Sequence, residues 1–242
     1  MPPKSKRLIE NENNSGIVNW YKVIPKEFLN TVDNPNKHLH NFDIPFRALI
    51  NAGSGSGKTS FLLSLIKLFQ EGKGTYPDIF IITRNSDEPL YNYLKKISNN
   101  QIQILEGIHN LPSLDKFDKE ENHLVCLDDM MTVKDQTPII NYFIRCRKLN
   151  CSIVYLTQNY FSVPPEIRRN CSYLIILRLS GDRDLKLILK ECSLGVEKDV
   201  VLKMYEFATK EKFSPFIVDL ESTDKDHKFR KGFNDYLKVS DF

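Results

Sequence analysis

From Pro45 onward, short apolar runs alternate with stretches whose apolar residues recur at helical spacing. Residues 46–50, 79–83, 124–127, 152–156, 173–179 and 216–220 are apolar runs of strand length, and 102–105 is a short one interrupted by Gln103. Runs apolar on both faces are the pattern of parallel strands covered by helices on each side. Between them lie amphipathic stripes. Phe61, Leu62, Leu65, Ile66 and Phe69 share one face of a helix over 59–69, and Leu90, Leu94 and Ile97 one over 88–98. Leu185/Ile188/Leu189/Cys192 and Val196/Val200/Met204/Phe207 mark helices at 182–192 and 196–209. Gly72 and Gly74 stop the first helix, and Thr137-Pro138 reads as an N-cap with proline at the first helical position of a helix running to about Lys148. The pattern predicts an α/β fold, a three-layer sandwich around a mainly parallel sheet.

The two ends read differently. Residues 1–44 are rich in Asn, Lys and Pro, and are expected to be a partly disordered N-terminal arm. Trp20 and Tyr21 are its candidates for packing on the core or on a neighbouring subunit. Residues 45–220 form the expected domain, and 221–242 a solvated C-terminal tail, because four basic residues of 225–231 sit among Asp224 and Asp226. His38 and His40 are one residue apart, but without further ligands they read as loop residues.

Composition adds limits. With 242 residues, 41% hydrophobic and 27% charged, the chain can build a core. The net charge of +3 neither demands nor excludes a nucleic-acid partner. Five cysteines, an odd number without CxxC spacing, point to a reducing compartment rather than to disulfides or a thiolate zinc site. No apolar run reaches membrane-spanning length and no signal peptide is apparent, so the chain is expected to be soluble, intracellular and not itself membrane-spanning.

The chemistry sits in the loop Ala52-Gly53-Ser54-Gly55-Ser56-Gly57-Lys58-Thr59, followed by Ser60. It fits the phosphate-binding pattern G-x-x-x-x-G-K-[ST] with Ala at the first position, and an apolar strand precedes it and an amphipathic helix follows. Backbone N–H groups of such a loop cradle phosphates of ATP, Lys58 reaches the β- and γ-phosphates, and the Thr59 hydroxyl is a ligand for Mg²⁺. The run Leu124–Leu127 delivers Asp128 to the C-terminal end of a strand as the second metal residue, and Asp129 follows as base or orienter of the attacking water. Gln158, after the strand 152–156, can touch both γ-phosphate and water because its amide donates and accepts.

Taken together, the loop, the Asp128-Asp129 pair, and Arg147-Lys148 followed by a strand ending in Thr157-Gln158 resemble the FtsK–HerA superfamily of P-loop ATPases. Within it the chain looks most like the genome-packaging ATPases of poxvirus-like large DNA viruses and virophages. Leu111-Pro112 before the acidic strand and Val163-Pro164-Pro165-Glu166-Ile167-Arg168 after the glutamine are part of that likeness, which covers about 45–179. Ala52 for glycine, and Asp129 where many superfamily members carry glutamate, depart from the wider pattern. The resemblance implies a RecA-like sheet with an additional strand, tipped by Gln158, between those of the P-loop and the acidic pair. It implies a homo-oligomeric ring, pentamer or hexamer, that hydrolyses ATP between subunits. It also implies double-stranded DNA driven into a preformed capsid, partners among capsid vertex or internal-membrane proteins, and a place in the host cytoplasm (the virus factory) or the virion. Arg147, expected near the active edge of the sheet, is the candidate arginine acting across a subunit boundary, with Arg168 and Arg169 as alternatives. Two other readings stay open: a P-loop nucleotide or small-molecule kinase, and a nucleotide-gated capsid or scaffold protein with little hydrolysis.

Overall fold

A computed structural model describes residues 17–25, 28, 33–98, 101–192 and 194–242. The chain divides into two units, 1–31 and 32–242. In the first, Trp20–Lys22 forms a 3-10 turn closed by a Val23 N–H to Trp20 carbonyl bond of 3.0 Å. The poorly ordered start expected of the arm lies outside the described residues.

The second unit contains nine strands in one sheet and eight α-helices among its described residues. The strands are β1 (Arg47–Asn51), β2 (Asp78–Thr83), β3 (Ile102–Glu106), β4 (His123–Asp128), β5 (Cys151–Thr157), β6 (Tyr173–Ile176), β7 (Phe216–Asp219), β8 (Phe229–Lys231) and β9 (Asp235–Tyr236). The helices are α1 (Lys37–His40), α2 (Lys58–Phe69), α3 (Pro89–Ile97), α4 (Thr137–Arg145), α5 (Pro165–Arg169), α6 (Asp182–Glu191), α7 (Lys198–Ala208) and α8 (Lys225–Lys228). Strand order is β3-β2-β4-β5-β1-β6-β7-β8-β9. The first six of these positions pair in parallel, and β7, β8 and β9 add an antiparallel annex.

The period of two along each central strand divides its side chains between two cores. Ala48 and Ile50 of β1, Leu124 and Cys126 of β4, and Val154 and Leu156 of β5 pack with Phe61, Leu62, Leu65, Ile66 and Phe69 of α2 and with Tyr91 of α3. Leu49, Val125, Leu127, Ile153 and Tyr155 face the other way, onto Ile139 and Phe143 of α4, Ile167 of α5, Leu185 and Ile188 of α6 and Met204 of α7. Every residue of β1, β4 and β5 is buried. The result is the expected three-layer sandwich, and β5 lies between β4 and β1 as the additional strand.

Four local expectations change. The helix after Asp135 starts at Thr137 with Gln136 as its N-cap, and the Asp135 carboxylate accepts the Thr137 N–H at 3.0 Å. That helix gives way to a 3-10 segment at Cys146–Leu149 before the strand. The apolar run at 173–179 is a strand only to Ile176, because Arg178 turns its carbonyl to the Gly53 N–H and the Ser56 hydroxyl instead of to the sheet. The packed unit also reaches back beyond Pro45: Asn36 donates to the carbonyls of Phe69 and Glu71 at 2.8 Å each, and His40 and Phe42 are fully buried.

The largest change is at the C-terminus. The basic stretch 225–231, expected to be solvated, becomes α8 and β8, and Phe229 and Arg230 are buried against the core. A buried guanidinium needs acceptors. Arg230 Nη1 donates to the carbonyls of His40 and Asn41 at 3.0 Å and of Phe233 at 3.1 Å, and the guanidinium lies 4.9 Å from the Phe42 ring centroid. Three carbonyls and an aromatic face hold the charge where, among the described residues, no carboxylate pairs with it directly. His40, beside it, accepts the Phe42 N–H on Nδ1 at 3.0 Å and packs edge-on against Phe69.

Burial first, and the Arg230 charge second, pull the His40 pKa down to about 4, so the ring is neutral in the folded protein. An unfolded histidine binds its proton near pH 6.5, so between these values the unfolded state holds more protons and folding weakens as the pH falls. The contribution is whole above about pH 6.5, shrinks down to pH 4, and amounts to roughly 3 kcal/mol over the window. Urea titrations at pH 7.5 and 4.5 should show this loss in the wild type and a smaller loss in His40→Asn; equal losses would show that His40 does not carry it.

Candidate functional site

The C-terminal ends of β4, β5 and β1 are neighbours, because Asp128 pairs with Leu156 and Thr157 with Asn51. Three turns leave the sheet there: the loop 52–57, Asp128-Asp129 and Gln158. Ligands of open α/β sheets bind at this edge. The first turn starts from fully buried Ala52, whose N–H donates to Thr157 at 3.2 Å. Gly53 then donates to Arg178 at 3.4 Å, and Ser56 donates through its N–H to Gly53 at 3.2 Å. Ser54 and Gly55 are exposed at the loop's crest, Gly55 with φ of 69°. Gly57 caps α2 with φ of 94°, and a Cβ there would lie 2.2 Å from Cδ1 of Phe213. Both the backbone and the neighbouring ring therefore require glycine.

Lys58, Thr59 and Ser60 open α2, and Lys58 Nζ reaches back to the Ala52 carbonyl at 3.4 Å. Partial burial pulls the Lys58 pKa down, and the carboxylates of Asp128 and Asp129 push it back up. Asp128 itself is buried. Burial raises its pKa, against a hydrogen bond from Tyr91 and the charge of Lys58. Asp129 ends the strand in the left-handed region, φ 56° and ψ 36°, which turns the chain sharply into the 3-10 turn Met130–Thr132. Asp and Asn tolerate that conformation better than other side chains. Gln158 is exposed on the turn between the P-loop strand and the acidic strand.

The sequence-predicted residues Ala52 through Ser60, Asp128, Asp129 and Gln158 thus share one edge of the sheet. Arg147 does not. It precedes β5, so it lies at the opposite edge, about 20 Å away along a strand of this length. There it faces Glu221 at 3.6 Å, which Arg47 also approaches at 3.5 Å. Arg168 is held by Glu191 at 2.8 and 3.0 Å and lies over the Tyr160 ring, and Arg169 is exposed on α5 just before β6.

The structure adds three residues to this edge. Tyr91 of α3, fully buried, donates its hydroxyl to Asp128 Oδ2 at 2.5 Å. Glu88, the N-cap of α3, has its pKa raised first by burial and then by the charges of Asp128 and Asp129. Arg84, just past β2, donates to the Thr132 hydroxyl at 2.6 Å. The Tyr91 and Glu88 signal was present in sequence only as a three-residue spacing on a predicted helix.

The donors fit Mg²⁺ of the kind that accompanies phosphates. Among the described residues no three His, Cys, Asp or Glu side chains form a metal cage. Mg²⁺ uses one or two protein oxygens and completes its shell with water and phosphate. Thr59 and Asp128 supply a hydroxyl and a carboxylate, and Asp128, Asp129 and Glu88 outnumber Lys58 in charge.

A hydrogen bond to an ionised group contributes about 1.5–3 kcal/mol, so Tyr91→Phe should lower stability by about 2 kcal/mol at pH 7. The loss should shrink at pH values low enough to protonate Asp128, since the bond is then no longer charge-assisted. Urea titrations at both pH values check this, and a pH-independent loss would assign the effect to packing.

The Poxvirus A32 protein family model matches residues 36–219. Over 171 residues the chain is 28% identical to the DNA packaging protein OPG160 of Variola virus and of Vaccinia virus strain Copenhagen, an alignment covering 65% of this chain and 62% of theirs. The chain thus spans about three fifths of the length of these relatives. Its fold is similar to the genome packaging NTPase B204 from Sulfolobus turreted icosahedral virus 2 in complex with AMP, with TM-score 0.56, 14% identity, and coverage of 79% of this chain and 98% of that one. It is also similar to EssC (ATPases 2 and 3) from Geobacillus thermodenitrificans, with TM-score 0.53, 11% identity, and coverage of 82% and 40%. With the match running from the segment before β1 through the last residue of β7, the chain belongs to the poxvirus A32 protein family.

Proposed function

We propose that the protein is an ATP-hydrolysing motor that packages double-stranded viral DNA into a preformed capsid. The observation that carries this is the joint edge of β4, β5 and β1, where Lys58, Asp128, Asp129 and Gln158 come together around a phosphate-binding loop. The naming of the poxvirus relatives as DNA packaging proteins supports the choice of substrate. Against the kinase reading stands the strand inserted before Gln158; against the scaffold reading stands the full set of charged groups.

The loop 52–57 and the start of α2 bind the phosphates of ATP through backbone N–H groups, Lys58 neutralises the β- and γ-phosphates, and Thr59 and Asp128 would hold Mg²⁺. When bound, Mg²⁺ screens the negative charge that builds on the phosphate oxygens. Asp129 takes a proton from the attacking water as its oxygen bonds to the γ-phosphorus and the bond to the ADP oxygen breaks, while Gln158 orients that water. Tyr91 positions Asp128. Since Arg147 lies at the far edge of its own sheet, it serves such a site only from a neighbouring subunit, in a homo-oligomeric ring at the capsid.

Steady-state ATPase assays test the chemistry. Lys58→Ala and Asp128→Ala should abolish turnover by weakening nucleotide and metal binding, whereas Asp129→Asn should keep binding and lose turnover. Wild-type turnover should rise with double-stranded DNA of any sequence, and this stimulation should fade as salt increases, because duplex phosphates are held by counterion release. Turnover unaffected by DNA across a salt series would favour the kinase or scaffold readings.

An arginine acting in trans is worth roughly 10³–10⁵ in rate. Arg147→Ala should therefore bind ATP and hydrolyse it poorly, and mixing it with Lys58→Ala should restore part of the turnover. Verified mixed rings without recovery would leave Arg147 to its contact with Glu221.

A further inference from the structure

Four non-glycine residues have positive φ among the described residues: Asn41, Asp129, Asn150 and Phe213. Three are Asn or Asp, which accept the left-handed region. Phe213, at φ 67°, is bulky and has no such excuse, and backbone strain of this kind persists where the surroundings impose it, often at ligand sites. The strain presents an apolar ring to solvent: Phe213 is 50% exposed.

Its position in the fold is specific. Phe213 lies in the α7–β7 connection, and β7 runs antiparallel to β6 with Phe216 opposite Ile176, itself opposite Asn51 at the end of β1. The connection therefore returns to the sheet beside the phosphate-binding loop. The Cδ1–Cε1 side of the ring is the part nearest Gly57, and one of its faces lies under Lys212. The ammonium of Lys212 lies 4.9 Å from the ring centroid.

The side of the loop matters. Asp128, Asp129 and Gln158 stand on the β4–β5 side of β1, so the γ-phosphate end of a nucleotide points there. The ribose and base must then leave the loop toward the β6–β7 side. On that side the same α7–β7 connection supplies Thr209 and Lys210, and the β6–α6 connection supplies Arg178, Ser180 and Gly181, to a neighbouring cavity of about 370 Å³ that Tyr205 and Glu206 also line, and that Phe213 and the loop 52–60 do not. Small-molecule sites start near that size.

We propose that Phe213 is the nucleobase platform: the base of a purine nucleoside triphosphate stacks on its exposed face while the triphosphate occupies the loop 52–60. The inference rests on the nucleotide-site reading above and adds to it the residue that distinguishes a nucleotide from a bare polyphosphate. A base has a π-face that an aromatic ring meets in offset stacking, and the gain disappears when the ring is cut to alanine.

Titration calorimetry with ATP and with inorganic tripolyphosphate, both in excess Mg²⁺, tests this. Phe213→Ala should weaken ATP binding roughly 5- to 160-fold, the range of one lost base stack. Tripolyphosphate binding should change less than about twofold, and Phe213→Tyr should bind ATP as the wild type does. Far-ultraviolet circular dichroism of each variant establishes that the loop change has not unfolded the domain. Equal weakening toward both ligands would make the ring a prop for Gly57 and overturn the proposal, as would unchanged ATP affinity. A wild type that binds tripolyphosphate and ATP equally well would overturn the base platform but keep the phosphate loop. A wild type that binds neither would overturn the nucleotide site and the platform with it.

Discussion

β1 is hydrogen-bonded on both edges, to β5 and to β6, and buried on both faces, so its end is fixed from four directions. The phosphate-binding loop begins at that end. Placing β5 between β1 and the acidic strand β4 spaces Lys58 from Asp128 by one strand on each side of Gln158, at about 4.8 Å per strand. A phosphate-binding edge needs this separation to stay constant, and a parallel ladder buried on both sides supplies it. The flanking helices are consequences of the same arrangement, because each face of the ladder exposes apolar side chains that only an amphipathic helix can cover.

The edge also concentrates charge where water is scarce. Burial raises the Asp128 pKa and lowers that of Lys58, yet each is drawn back by the other. Tyr91 supports the ionised carboxylate from below. Such a cluster sets one cation, Lys58, among acids at the edge of the sheet. By itself the cluster is a cost to stability, which the buried, mostly apolar strands beneath it offset.

Most of this was legible in the residues. Strands β1, β2, β4, β5 and β7 are near-continuous apolar runs, and the loop 52–59 carries its own spacing, so fold class and phosphate site followed from pattern alone. The inserted position of β5 did not: it came from resemblance, since order in a sheet leaves no mark on a single strand. β8 was missed because it is three residues long and centred on Arg230, and a charged residue in a core contradicts hydrophobic patterning until its carbonyl partners are seen. Arg147 was placed on the wrong edge although the rule needed was local, for a residue that precedes a parallel strand stands at that strand's N-terminal end. Tyr91 and Glu88 carry only a three-residue helical spacing and Phe213 carries no signal, because their meaning lies in what they meet, not in their neighbours along the chain.

The Arg230 guanidinium bonds to carbonyls at His40 and Asn41, some 190 positions earlier, and so ties the two borders of the domain into one knot. During synthesis the segment around His40 emerges long before its partner. Until residue 230 has been made, the aromatic cluster of His40, Phe42 and Phe69 lacks the guanidinium that lies against Phe42. A polypeptide stopped short of β8 would carry the whole phosphate edge yet leave that aromatic cluster without the guanidinium that bridges it to the annex.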